Sequence, residues 1–183
     1  MISPALTTEN TVLLLIDFQE RLFPVMAEKE KLLNNVVKLT KGALALELPI
    51  IVTEQYPKGL GPTIPEIKSL IPGFKAVEKT CFSCCDEPAF METFGTLKRK
   101  QIIIAGIEAH ICTYQTAVAL ARTGYQVEVV SDGVSSREPE NKAVALSKLG
   151  LMGIMPTSTE MALFEILKIA KGDKFKAISA IVK

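Results

Sequence analysis

Hydrophobic positions along the chain fall into two alternating patterns. Short, uninterrupted aliphatic runs recur, each followed by a longer stretch in which apolar residues return every three or four positions. This alternation marks successive βαβ units and therefore a parallel sheet. TVLLLID, Thr11 to Asp17, reads as the first strand; it is apolar without alternation, as a strand buried on both faces is. From Glu20 to Glu47 the period is helical, with Leu32, Val36, Leu39, Ala43 and Leu46 on one stripe, and Pro24 predicts an irregular start. PIIVTEQ, from Pro49, is the second strand, and YPKGLGPTIPEI is a loop rich in Pro and Gly. AVEKT, Ala76 to Thr80, is a short third strand, after which Asp86 is placed to cap a helix running to about Leu97.

QIIIAGI, Gln101 to Ile107, is the fourth strand, and Ile111 to Thr123 is a helix closed by Gly124. YQVEVVSD is the fifth strand, followed by a helix from Pro139 to Leu149 that Gly150 ends. LMGIM is the sixth strand. Thr157 or Ser158 caps a helix to about Ala170, and a short helix or tail follows from Asp173. The expectation is one domain over residues 1–183: an α/β, three-layer, doubly wound (Rossmann-like) six-stranded parallel sheet with helices on both faces.

Composition narrows the function classes. The 183 residues suit a single core, and 48% hydrophobic with 22% charged residues is ordinary for a globular chain. Twenty-one basic and 20 acidic side chains leave a net charge of +1, so there is no basic field for nucleic acid or an acidic membrane. With no Trp, 3 Tyr and 8 Phe, base-stacking platforms are scarce, and neither nucleic acid nor membrane is expected as a partner. MISPALTTEN lacks the charged and apolar regions of a signal peptide, and no aliphatic run is long enough to span a bilayer. A cytoplasmic location is expected. The four cysteines, Cys81, Cys84, Cys85 and Cys112, make a poor disulfide framework and read as reduced thiols.

In open parallel sheets, ligands bind beyond the carboxyl ends of the strands. Asp17 ends the first strand, Lys79 ends the third, and Cys112 lies just past the fourth. Asp17 is the only charge in an apolar strand, costly unless paired, although a helix-capping role would also explain it. Lys79 by itself need only reach solvent. Cys112 falls in the first turn of a predicted helix, where backbone N–H groups favour a thiolate and can form an oxyanion hole; a small buried core thiol is the alternative. Cys81-x-x-Cys84 admits a redox reading, if it opens a helix, or a zinc reading, if His110 and Cys112 complete it. Thiols lining a pocket wall explain it more simply. His110, the only histidine, sits two residues from Cys112 and would point elsewhere. GLGP at Gly59 to Pro62 leads to Pro65, not to a phosphate-binding helix.

Five segments together carry a resemblance: LLLIDFQE around Asp17, VTEQYPKGLG, EKTCFS around Lys79, AGIEAHICTYQTAVAL around Cys112, and GYQVEVVSDGVSSR. In them the chain, from about Thr11 to Thr159, resembles the isochorismatase-like cysteine hydrolases, a superfamily that includes nicotinamidases. TEQYPKGLGPT with KTCFS is most similar to the isochorismatase-domain-containing subgroup.

The resemblance implies a triad of Asp17, Lys79 and Cys112, a cis peptide between Ile107 and Glu108, and an oxyanion hole of the Glu108 and Cys112 N–H groups. It implies hydrolysis of a small amide or related carbonyl substrate through a Cys112 thioester. Lys79 and the helix start would keep the thiol ionised, and Asp17 would accept its proton. Phe18, Phe23, Gln55, Tyr56 and Phe82, near the strand ends, would line the pocket. Nicotinamidases carry Asp-x-His-x-His after the second strand; here Gln55 and Tyr56 stand there without histidine, so no metal or other cofactor is expected. Isochorismatases proper lack the cysteine that this chain has, so vinyl-ether cleavage is not expected. A homo-oligomer is also implied. Two other readings are a non-catalytic binding or scaffold protein on an inherited hydrolase fold, and a redox protein using Cys81 and Cys84.

Overall fold

Non-alternating aliphatic runs take the centre of the sheet. Thr11–Ile16 (β1) and Gln101–Ile107 (β4) are buried at every position, because helices cover both faces. The computed structural model describes residues 4–183. Ile50–Gln55 (β2), Ala76–Lys79 (β3), Gln126–Ser135 (β5) and Pro156–Thr157 (β6) complete an all-parallel sheet of order β3-β2-β1-β4-β5-β6. The chain begins in the middle, winds to one edge, returns, and winds to the other. Its crevice therefore opens at the carboxyl ends of β1 and β4.

Successive side chains of β1 feed two cores. Leu13 and Leu15 pack under Lys29–Ala45 (α1), Thr159–Leu167 (α7) and Asp173–Val182 (α8). Val12, Leu14 and Ile16 pack under Pro88–Thr96 (α4), Tyr114–Arg122 (α5) and Pro139–Leu151 (α6). Each such aliphatic side chain, taken fully out of water, contributes about 1.5–3 kcal/mol. Two single turns, Pro57–Leu60 (α2) and Pro65–Lys68 (α3), lie within the Pro/Gly loop.

Several element boundaries differ from the sequence expectation, each for a local reason. The first helix starts at Lys29, not Glu20, and the preceding segment holds only a 3₁₀ turn, Phe23–Val25, at Pro24. That segment is pinned across the sheet end: Gln19 Nε2 donates to the carbonyls of Gln55 (2.9 Å) and Gly61 (2.7 Å), and its Oε1 accepts from Gln55 N (2.7 Å). Glu87, not Asp86, caps α4 by accepting from Ala89 N (3.3 Å). Helix α6 runs through Gly150; its left-handed C′ residue is Gly153 (φ 81°), with Ile154 N donating to Leu149 O. The sixth strand is consequently Pro156–Thr157, not Leu151–Met155. Ser158 caps α7, which ends at Leu167 instead of Ala170. Gly124 closes α5 as expected, at φ 87°.

Candidate active site

The register of the central strands assembles the site. Ile16 lies opposite Thr53 on β2 and Gly106 on β4, and Gln55 lies opposite Lys79 on β3. Asp17, one step beyond β1, has a left-handed backbone (φ 58°), a conformation that Asp tolerates better than most residues. Its N–H donates to Thr53 O (3.2 Å).

Both Asp17 carboxylate oxygens are used. Oδ1 accepts from Thr53 Oγ1 (2.7 Å), and Oδ2 accepts from Lys79 Nζ (2.8 Å), with both charged side chains wholly buried. Lys79 Nζ also donates to Gln55 Oε1 (2.6 Å) and to the carbonyls of Cys81 (3.3 Å) and Phe82 (3.5 Å). The ammonium is thus held on all sides, as a buried charge must be.

Cys112 reaches the pair from β4. Between β4 and α5 the chain makes a π-helical turn, Ala109–Thr113, after a cis peptide joining Ile107 and Glu108, as the resemblance implies. That turn runs without a break into α5, so Cys112 lies in the opening turn of one continuous helical segment, as expected. The turn sits close on β4: a Cβ on Gly106 would lie 2.7 Å from both Ile16 Cβ and Thr113 Oγ1. Glycine is needed there for close approach, not for a special backbone angle. Cys112 is 6% exposed, and both Asp17 and Lys79 act on its thiol.

The electrostatics reverse one expectation. Burial, and then the Asp17 carboxylate, push the Cys112 thiol above its ordinary range, and Lys79 only partly opposes them. The direction of that shift runs against the resting thiolate expected from the sequence. For Lys79, burial acts downward, but Asp17, then Cys112 and Cys84, lift it above the usual value, so it is a firm ammonium. Cys84, buried beside Thr53 (Sγ–Oγ1 4.0 Å), is pushed up to about 12, mainly by burial.

The five expected pocket residues separate. Gln55 joins the Lys79 network and donates from Nε2 to Thr80 O (2.8 Å). Tyr56 is 54% exposed and lines a cavity of about 280 Å³ with Lys58, Glu78, Lys79, Thr80 and Glu87. Phe82 is also exposed, above Lys79. Phe18 is a correction: it is fully buried in the core under α1, where it anchors the turn that carries Asp17. Phe23 is half-buried against that same core.

Glu108 is buried, and its carboxylate accepts from Arg137 N (2.8 Å) and Nε (3.2 Å). His110 Nδ1 pairs with Ser136 Oγ (2.9 Å). All four cysteines are free; Cys81 lies in a bend and Cys84 opens a 3₁₀ turn, Cys84–Asp86, and neither starts an α-helix. Among the described residues, no group of three or more His, Cys, Asp and Glu is placed to hold a metal. Sequence reasoning missed Thr53, whose signal was one hydroxyl in an otherwise aliphatic strand core, and Gln19, which carried no signal.

Residues 11–161 match the isochorismatase domain. Isochorismatase domain-containing protein 2 of Danio rerio is 37% identical over 177 residues, covering 97% of this chain and 89% of that protein. The structure of a Caenorhabditis elegans protein described as MAR1 ribonuclease superposes with a TM-score of 0.92 at 32% identity, over 98% of this chain and 92% of that one. The YcaC gene product of Escherichia coli, described as an octameric hydrolase of unknown specificity, shares the fold at 23% identity and a TM-score of 0.93, over 99% of this chain and 90% of that one. With a matching domain across most of its length and relatives along nearly all of it, this chain belongs to the isochorismatase family.

Proposed function

We propose that the protein is a metal-independent cysteine hydrolase acting on a small amide or related carbonyl compound, with Cys112 as nucleophile, Asp17 as proton carrier and Lys79 as the fixed countercharge. The observation that carries this reading is the fully buried Asp17–Lys79 pair set against the Cys112 thiol. A scaffold gains nothing from such a pair, since apolar replacements of similar volume are often neutral or stabilising.

The raised thiol fixes how the reaction starts. Ionising Cys112 alone would add a charge to a buried site. Moving its proton to Asp17 keeps the net charge of the three groups at zero, so burial penalises the transfer far less. The proton passes from Sγ to the Asp17 carboxylate as sulfur attacks the carbonyl carbon. Lys79 then faces a neutral acid and a sulfur bonded to carbon, while the negative charge has moved to the carbonyl oxygen. The Glu108 and Cys112 N–H groups receive the oxyanion, and losing one such donor costs on the order of a hundredfold or more. Asp17 returns the proton to the departing amine, leaving a thioester. It next takes a proton from water, which attacks the thioester, releasing the acid and restoring the thiol.

The test is an amide and ester panel with intact-mass detection of an acyl adduct of one substrate residue on Cys112. Hydrolysis abolished by Cys112→Ala is the expected result. An intact, folded protein with no turnover and no adduct would favour the scaffold reading. RNA belongs in the panel because one relative is described as a ribonuclease; cleavage of RNA alone would overturn the amide assignment. We further propose a homo-oligomer, in line with the octameric relative.

A further inference from the structure

Three of the four cysteines take no part in the hydrolysis, and one of them is placed unlike the other two. Cys81 and Cys85 are half-buried, whereas Cys84 is fully buried in the same core cluster as Cys112. The Cys84 backbone N–H donates to Thr116 Oγ1 (3.0 Å). Thr116 stands one turn beyond Cys112 on the continuous helical segment, and side chains so spaced share a face, about 5–6 Å apart at Cβ. Cys84 therefore packs against the face that carries the nucleophile, and it acts electrostatically on both Lys79 and the Cys112 thiol. Cys84 also has its own path to the Asp17 carboxylate. Its thiol donates to Thr53 Oγ1 (4.0 Å), and that hydroxyl donates to Asp17 Oδ1 (2.7 Å). By contrast, Cys81 meets Lys79 through its carbonyl, and the Cys85 N–H donates to Ser83 Oγ (3.2 Å).

We propose that Cys84 is a resolving thiol: when a hydroperoxide oxidises Cys112, Cys84 joins it in a disulfide that stops hydrolysis reversibly. This rests on the reading of Cys112 as the nucleophile. Cys112 Sγ attacks the outer peroxide oxygen and breaks the O–O bond. Asp17 carries the thiol proton to the departing alkoxide (hydroxide, for hydrogen peroxide), which leaves a sulfenic acid on Cys112. Cys84 Sγ then attacks Cys112 Sγ and breaks the S–O bond. The Cys84 proton passes through Thr53 to Asp17 and on to the departing hydroxide, which leaves as water. Two thiols lose two electrons and two protons, and the hydroperoxide is reduced to an alcohol and water. Lys79 favours the thiolate of each cysteine against the effect of burial. Without a second thiol in reach, a sulfenic acid proceeds to the irreversible sulfinic acid, so Cys84 spares the site as well as silencing it.

Titration of the full chain with hydrogen peroxide, read by intact mass and non-reducing peptide mapping, tests this. Wild type is expected to become lighter by two hydrogens and to yield a Cys84–Cys112 linked peptide. Hydrolysis should fall in step with that linkage and return with dithiothreitol. Cys84→Ala is expected instead to gain two oxygens on Cys112 and to lose activity that dithiothreitol does not restore. Cys112 linked to Cys81 or Cys85, or no linkage in the wild type, would overturn the resolving role and leave the hydrolase reading intact. Complete Cys84–Cys112 linkage with unchanged hydrolysis would overturn the nucleophile reading itself. If Cys84→Ala does not fold, the wild-type map decides alone.

Discussion

The two ends of the sheet both bury polar groups, but in opposite ways. At the amino end Gln101 ties the strands together: Nε2 donates to Ala5 O (2.9 Å) and Gln126 Oε1 (3.0 Å), while Oε1 accepts from Thr7 N (2.9 Å) and Thr11 Oγ1 (3.2 Å). Gln101 and the four groups it bonds are all neutral. At the carboxyl end a full ion pair is buried beside a thiol. A neutral, fully bonded network adds stability at little cost. A buried ion pair rarely repays its desolvation, so it marks the end of the sheet that does chemistry.

Five experiments would break or sharpen this contrast. Cys112→Ala should lower kcat/KM by at least about a thousandfold on any turned-over substrate, with the melting temperature nearly unchanged. Retained activity would erase the distinction between the two ends. Lys79→Met should abolish activity and also cost about 3–5 kcal/mol in urea denaturation, because Asp17 is left buried without its partner. Asp17→Asn/Lys79→Met should recover most of that stability and none of the activity.

Alkali should weaken the carboxyl end selectively. Cys112, Cys84 and Lys79 all have folded values raised above their ordinary ones, so each holds its proton more tightly in the native state. Their stabilising contribution is complete below the unfolded values, near pH 8.5 for a thiol and 10.4 for a lysine. It is lost as pH rises toward the folded ones, about 12 for Cys84. Above about pH 8.5 each thiol should remove up to about 1.4 kcal/mol per pH unit from the unfolding free energy. Cys84→Ala should flatten that slope; an unchanged slope would contradict the assignment.

Gln101→Ala should cost about 1–3 kcal/mol by leaving buried partners unsatisfied, while kcat/KM stays within twofold. A large rate loss there would mean that the amino end is not merely structural. The smallest effect concerns Thr53. Removing its bond to Asp17 Oδ1 with Thr53→Val should lower kcat/KM by about fivefold, the worth of one such hydrogen bond. Thr53→Ser should restore it.

Much of the architecture was legible because its signals are local. The unbroken VLLLI and IIIAGI runs announce central strands, and Gly124 announces a helix end. Element ends were less legible where one local signal competed with another: Gly150 and Gly153 both offer a helix stop, and side-chain packing of α6 selected the second. Phe18 looked like a pocket residue because it follows Asp17, yet the left-handed turn at Asp17 sends it into the core.

The sequence by itself determined the alternation of strands and helices, because period is written in local hydrophobic spacing, and the resemblance of whole segments pointed to the family. Only the tertiary structure decided the direction in which the Cys112 thiol is shifted, the clamp of Thr53 and Gln55 around the ion pair, and the seat of Cys84 behind it. Each of these depends on how far groups distant in sequence exclude water from one another, and burial of that kind has no local signature in the chain.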